Sequence, residues 1–404
     1  MKWEKVKLGD VCEITSSKRI FYSEYVDDGV PFYRSKEIIE SDEGKVIEDP
    51  LYISVDKYNE IKEKFGVPQT GDMLLTSVGT IGIPYIIKKN DCFYFKDGNL
   101  TWFRDFREGL NSKYLYYWIK SSEGAGILYN TTIGSSQKAL TISALKNIKV
   151  SLPPRSVQDK IVEAVSAYDD LIENNQKQIK LLEEAAQRLY KEWFVNLRFP
   201  GHENTKIVDG VPEGWRKSTV SEVSAVLRRG ISPKYNEKAR GIVINQKCIR
   251  QTIVSYDEAR TQEKKYPAEL EMMESDIVIC STGSGTLGRV GQIFEAKENV
   301  TLDSHVTLIR ANEKIGQQSL FWLLKMKQDY LMNAGKGSTN QLELSRETIG
   351  SCEILIPERK IAEQVEKSFV AIHNKMKECS MQIARLREAR DLLLPKLMSG
   401  GMEV

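Results

Sequence analysis

Gly283-Ser284-Gly285-Thr286-Leu287-Gly288 matches GxGxxG, the pattern in which bare backbone approaches a pyrophosphate at the start of a helix. That chemistry needs the helix. Arg289-Val290-Gly291-Gln292-Ile293-Phe294 follows instead and reads as a strand, so we expect a tight turn between strands and no nucleotide site. The matching Ser77-Val78-Gly79-Thr80-Ile81-Gly82 lacks the leading glycine and also runs into a strand. His202, His305 and His373 lie in separate segments with no partner at ligand spacing, and each reads as a surface or packing residue. His305 heads the strand-like HVTLIR where Asn99 heads NLTWFR, which gives it the role of a buried or rim polar residue. The six cysteines, at 12, 92, 248, 280, 352 and 379, form no CxxC pair, so we expect no metal site, no disulfide framework and a reducing cytoplasm. No Walker A run occurs. Leu152-Pro153-Pro154-Arg155 puts arginine where the Asn/Asp-Pro-Pro-aromatic motif of amino-group methyltransferases stacks its aromatic. No catalytic centre and no cofactor are expected.

What remains is binding. A net charge of +2 predicts no polyanion partner by itself, so any nucleic-acid contact must come from local cations that meet phosphates and base edges. Two basic clusters fall in early loops, Lys18-Arg19 and Arg228-Arg229 with Lys234. Arg34, Lys247, Arg250, Arg289 and Lys336 are further candidates near expected turns.

These loops must be held by something. DMLLTS, PYIIKK and NLTWFRD read as strands and NSKYLYYWIKSS as a helix capped by Asn111, which makes residues 1–152 a mixed α/β domain. Residues 200–356 repeat the order. Trp215 answers Trp3, DIVICS answers DMLLTS, and RVGQIF, HVTLIR and SLFWLLKMK answer the later elements. Gly134-Ser135-Ser136-Gln137 and Ser338-Thr339-Asn340-Gln341 close the two copies at an offset of 204. The earlier offset, 212 at the tryptophans, places extra residues in the first copy between Arg34 and Thr70.

Each domain runs into a heptad seam. Residues 153–199 carry Ile161, Val165, Tyr168, Ile172, Asn175, Ile179, Leu182, Ala186, Leu189 and Trp193 at alternating steps of four and three. Residues 357–404 carry the same seam 204 positions later: Val365, Phe369, Ile372, Met376, Cys379, Ile383, Leu386, Arg390, Leu393 and Leu397. Pro153 and Pro154 mark the first start, Gly201 supplies a stop, and Pro395 is expected to interrupt the last turns of the second helix. A seam with its own copy in the chain predicts an antiparallel coiled coil within one chain and a pseudo-two-fold repeat, domain, helix, domain, helix. From Ile161 to Trp193 such a helix rises roughly 48 Å. Asn175 either fixes the register of the pair or faces water where the helices diverge. The N-terminus has no apolar leader, and no run is long enough to span a membrane.

Laid out this way, the chain resembles the specificity subunit of a type I restriction–modification system over its whole length. The resemblance rests on several motifs: the Trp3 to Val11 opening, its PEGW echo at Pro212 to Trp215, GDMLLTSVGTIG at Gly71, and the GSSQ and STNQ closings. Most specific are the proline-led helices LPPRSVQDKIVEAV and IPERKIAEQVEKSF, with LLPKLMSGG near the end. It implies two target-recognition domains reading the halves of an asymmetric, gapped site in double-stranded DNA, with the helices as a ruler. It also implies two copies of an adenine-N6 methyltransferase subunit and an ATP-dependent translocating nuclease as partners. Glu358 stands where the first helix has its second proline, which distinguishes the two partner-facing copies. The competing class is a coiled-coil adaptor binding only proteins, which leaves the paired α/β domains without a task; a self-contained modifying enzyme lacks its cofactor motif.

Overall fold

The computed structural model describes residues 3–44, 47, 49–134, 138–283, 285–337 and 342–402. The GSSQ and STNQ closings, Gly134 excepted, and Ser284 of the glycine-rich turn lie outside them. The chain divides into two compact units, residues 1–174 with 382–404, and residues 175–381.

In the first unit, β1 (Glu13–Thr15), β2 (Met73–Thr76), β3 (Pro84–Ile86) and β4 (Leu100–Arg104) form an antiparallel sheet in the order β1-β4-β2-β3. All four residues of β2 are buried, as a continuous apolar run in a strand covered on both faces should be. Helix α1 (Ser112–Lys120) follows, and the Asn111 side chain accepts the Lys113 N–H at 2.9 Å. A second four-stranded sheet includes one parallel pair, Phe32 against Tyr94. Helices Ser35–Asp42 and Val55–Phe65 occupy the stretch expected to hold the extra residues.

In the second unit, β5 (Ser224–Arg229), β6 (Ile277–Cys280), β7 (Val290–Gln292) and β8 (Val306–Ala311) take the corresponding order β5-β8-β6-β7, again antiparallel. β6 is likewise buried throughout. The GxGxxG segment connects the antiparallel pair β6 and β7, so it is a turn between strands as its sequel indicated.

Helix α2 spans Arg155–Tyr190 and α4 spans Arg359–Met398. In the first unit, Ile161, Val162 and Val165 share a core with Leu394, Leu397 and Met398, and Leu393 packs against it. In the second, Ala186 and Tyr190 share a core with Val365, Phe369 and Met376, against which Ile179, Leu182, Leu189 and Ile372 pack. Early turns of α2 thus meet late turns of α4, and late turns of α2 meet early turns of α4. Of the remaining seam positions, Ile172, Asn175, Cys379 and Ile383 are buried while Tyr168, Trp193 and Leu386 are half-buried. Asn175 is 6% exposed, so it does not face water. Arg390, the one charged seam position, bonds Asp169 at 2.7 Å, and the Tyr117 hydroxyl donates to the same carboxylate at 2.7 Å.

Two helix ends differ from expectation. Pro395 does not interrupt α4, because Leu394, Leu397 and Met398 on either side are buried in the core and outweigh one lost backbone bond. The first helix stops before Gly201. It passes into a π turn at Lys191–Val195 and ends on Leu197, whose φ is 53° while Phe194 and Phe199 pack on Trp215.

Polar contacts fix each helix to its domain. Gln158, fully buried, accepts the Asn111 N–H at 2.9 Å and donates to the Gly109 and Pro153 carbonyls. In the second unit Gly316 leaves helix α3 (Gln317–Met326) without a cap side chain of its own. Glu366 of α4 supplies it, accepting from Gln318 N, Ser319 N and Ser319 Oγ at 3.1, 2.8 and 2.7 Å. A Cβ on Gly316 would stand 2.0 Å from the Glu366 carboxyl carbon, so a larger residue there would push the capping carboxylate aside.

His373 of α4 is buried against Phe294 and sits in a closed network. Gln292 Nε2 donates to the Ser275 carbonyl, so its Oε1 is free to accept from His373 Nδ1 at 3.1 Å. Gln318 Nε2 donates to Ser275 Oγ, which lies 3.5 Å from His373 Nε2. This pattern satisfies a neutral imidazole. Burial pushes its pKa down to about 4, while Glu274 and Lys377 beside it act in opposite senses. A pKa lowered from about 6.5 in the unfolded chain contributes stability that is fully present above 6.5 and disappears as pH falls through 4. We expect on the order of 2–3 kcal/mol to be lost from this unit between pH 7 and pH 4, and His373→Gln to flatten that dependence. Urea midpoints against pH for both proteins check it, and parallel curves would refute the assignment.

Burial also pushes the thiols of Cys12, Cys248 and Cys280 up, to about 12, 11 and 12, and raises those of Cys352 and Cys379. Cys92 is exposed. Among the described residues no helix is long and apolar enough to cross a membrane.

Candidate nucleic-acid interface

Antiparallel strands bring the ends of some to the starts of others, so one end of each four-stranded sheet collects residues distant in sequence. In the second unit Arg229 pairs with Thr307 at the end of β5, Cys280 with Val306, and Ile279 with Val290. The chain just beyond these pairs carries Thr282, Arg289 and His305. Two further backbone pairings, Thr282 with Glu343 and Lys336 with Glu343, bring in the segment between helices Gln328–Asn333 and Arg346–Gly350. Gln246 Oε1 lies 3.3 Å from Thr286 Oγ1, which places the short helix carrying Lys247 beside the glycine-rich turn.

The structure therefore brings together Arg229, Lys247, Arg289 and Lys336, four of the second-unit candidates. Arg250 stays with Lys247, donating from Nε to the Lys247 carbonyl at 3.2 Å. Lys234 stands apart, ion-paired with Glu263. Arg228 and Arg229 do not form a loop cluster. They end a strand, where successive side chains face opposite ways. Arg228 pairs with Glu269, whereas Arg229 Nη1 donates to Glu343 Oε1 at 2.5 Å and its Nη2 reaches the Ser281 and Leu344 carbonyls at 3.4 Å.

In the first unit Lys18 and Arg19 follow β1. The Lys18 backbone N–H donates to the Tyr94 hydroxyl at 2.7 Å, its ammonium lies over Phe65, and Arg19 pairs with Asp97 at 2.9 Å. Arg34 is held elsewhere, as the residue capping helix Ser35–Asp42, by Glu37 at 2.5 Å. That hydrogen bond raises the arginine pKa further. Half of the ten candidate cations, Arg19, Arg34, Arg228, Arg229 and Lys234, thus have a carboxylate partner, with which a DNA phosphate would have to compete.

The two sheet ends share a backbone frame. Ser77 N donates to Asn99 O and Ser281 N to His305 O, each at 2.8 Å. Leu140 N donates to Ser77 O at 2.9 Å and Leu344 N to Ser281 O at 2.8 Å. Ile133 and Ala139 exchange two bonds of 2.9 Å, as do Lys336 and Glu343. Beneath, Ser77 and Thr101 hydroxyls meet at 2.6 Å, and so do those of Ser281 and Thr307. On this common frame the outer side chains differ: Val78, Ile133, Ala139 and Asn99 in one unit stand where Thr282, Lys336, Glu343 and His305 stand in the other. Sequence reasoning, which sought cations, passed over Thr282 and Glu343 and read His305 as no more than a buried or rim polar residue. The available signal was the polar match of Asn99 with His305 at the heads of corresponding strands.

The sequence pattern of the type I restriction modification DNA specificity domain matches this chain twice, over residues 1–184 and 212–378. The type I restriction enzyme MjaIX specificity subunit of Methanocaldococcus jannaschii is 26% identical over 433 residues, covering 100% of this chain and 94% of its own. The HindI specificity subunit of Haemophilus influenzae is 26% identical over 336 residues, covering 65% and 70%. A crystal structure of the type I restriction–modification S subunit from M. genitalium shares the fold at a TM-score of 0.58 with 16% identity, covering 98% of this chain and 96% of that one. With both α/β units matched and together making up most of its length, the chain belongs to the type I restriction–modification DNA specificity family.

Proposed function

We propose that the two α/β domains, residues 1–152 and 200–356, read the two halves of an asymmetric, gapped DNA target. The helices of 153–199 and 357–404 pair as an antiparallel coiled coil that sets the unread spacer. The chain contributes recognition, and chemistry belongs to its partners: two copies of an adenine-N6 methyltransferase subunit, which flips the target base, and an ATP-dependent translocating nuclease. One observation carries this reading. The same hydrogen-bonded frame presents different side chains in the two units, which is what a target with unlike halves requires of a duplicated reader. The heptad seams support the coiled coil, since each unit pairs one half of α2 with the opposite half of α4. Cations at the sheet ends seat the phosphates, while neighbouring polar groups meet base edges in the major groove.

The test is a genome-wide map of N6-methyladenine in the host with the gene intact and deleted. Loss of one bipartite motif, with a methylated adenine in each half, is the expected result. Survival of every motif would instead favour the adaptor class.

A further inference from the structure

We propose that the residue immediately before a central strand of each sheet, His305 before β8 in the second unit and Asn99 before β4 in the first, reads a base, one in each half of the target. This rests on the functional reading above and goes further by naming a slot.

Three observations carry it. First, the two residues occupy one backbone position, each accepting the N–H of the matched serine at 2.8 Å, yet neither its hydrogen-bonding groups nor its shape is shared between them. A structural requirement at that position would constrain the side chain alike in both units. Second, His305 is exposed, and its orientation is fixed. Its backbone N–H donates to the buried Asp303 carboxylate at 2.8 Å, and its Nδ1 lies 2.6 Å from Thr282 Oγ1. With the threonine hydroxyl donating, Nδ1 accepts and Nε2 carries the proton. Nε2 has no partner among the described hydrogen bonds, so one oriented ring nitrogen, a donor in that tautomer, is left for a ligand. The Asn99 amide likewise has no partner among them, and it offers a donor and an acceptor together. Third, the neighbours suit a nucleic acid. Arg229 and Lys336 flank His305 through the shared Glu343 segment, so a phosphate seated there would leave the imidazole beside the base edges.

The chemistry differs between halves. An N–H donor suits the major-groove acceptors, guanine N7 and O6, adenine N7 or thymine O4, whereas an asparagine amide matches adenine N6 and N7 together. A bidentate contact of the asparagine kind discriminates by about 10- to 100-fold between base pairs.

The experiment places His305→Ala, His305→Asn and Asn99→Ala alleles at the native locus and maps N6-methyladenine beside the wild-type strain. His305→Ala should keep the bipartite motif but relax one base pair in one half. His305→Asn should shift preference at that same position, and Asn99→Ala should relax one position in the other half. A merely structural role would change the melting temperature and the extent of methylation without altering the motif. An unchanged motif, or relaxed positions falling in the same half, overturns the slot while leaving the functional reading intact. Loss of all methylation in both His305 variants at wild-type melting temperature also overturns it. A wild-type methylome with no bipartite motif dependent on this gene fails the functional reading first, and the slot with it.

Discussion

Arg229→Ala weakens binding to a duplex bearing the methylated motif by roughly 10- to 100-fold at fixed salt and lowers the slope of log K against log salt by about one. Arg228→Ala changes affinity by less than about threefold. The two arginines adjoin in sequence, and charge alone would make them equivalent. The strand separates them. Arg228 faces Glu269, while Arg229 ends beside Thr282, His305 and Lys336 with its guanidinium spread between Glu343 and two carbonyls. A guanidinium already oriented loses less freedom on meeting phosphate or base. Its bond to Glu343 also means that Glu343→Gln should tighten binding to unrelated DNA, since one competing carboxylate is gone. Anisotropy titrations over a salt series, using the complex purified from the host, check both statements. Equal losses for the two arginines would mean that strand alternation does not decide which one meets DNA.

Phe369→Ala costs the second unit about 3–5 kcal/mol. The ring is fully buried, stacks on Trp322 at 6.1 Å, and lies in one core with Ala186, Tyr190 and Val365. Truncation therefore opens a cavity where α2, α4 and the domain helix α3 converge, and rigid elements on three sides limit collapse. The neighbouring Val370 is 37% exposed, so Val370→Ala should stay within about 0.5 kcal/mol. Denaturant titrations that follow the second unit's transition distinguish the two. A loss below about 1 kcal/mol for Phe369→Ala would show that α4 does not share the domain core.

Much of this architecture could be read in the residues because it repeats local patterns. The heptad seam, the buried runs MLLT and IVIC, and the Asn111 cap each follow from nearest-neighbour periodicity or a single side chain acting within one turn. What escaped is long-range. Gly316 looks like a weak helix start until Glu366, from a helix 50 residues later in the chain, supplies the cap. Pro395 looks like a break until the flanking leucines are seen in the core. Arg228-Arg229 looks like a cluster until the strand boundary is known, and strand boundaries depend on which partner strand reaches that far. The candidate interface is half legible: cations stand out by type, but His305 needs the neighbours that orient an isolated histidine.

The distribution of sulfur has a practical side. Thiolate is the reactive form, and five of the six thiols are buried with their ionisation suppressed, leaving Cys92 exposed on the first unit. The native protein is therefore already a single-site substrate for maleimide chemistry. A fluorophore introduced under non-denaturing conditions goes to one place, in the unit that carries Lys18, Arg19 and Asn99, without any engineered cysteine. Titration with Ellman's reagent should count one thiol in the folded chain and six after denaturation. The same asymmetry gives the first unit alone an optical address, so the effect of added duplex on that unit becomes observable in a single molecule.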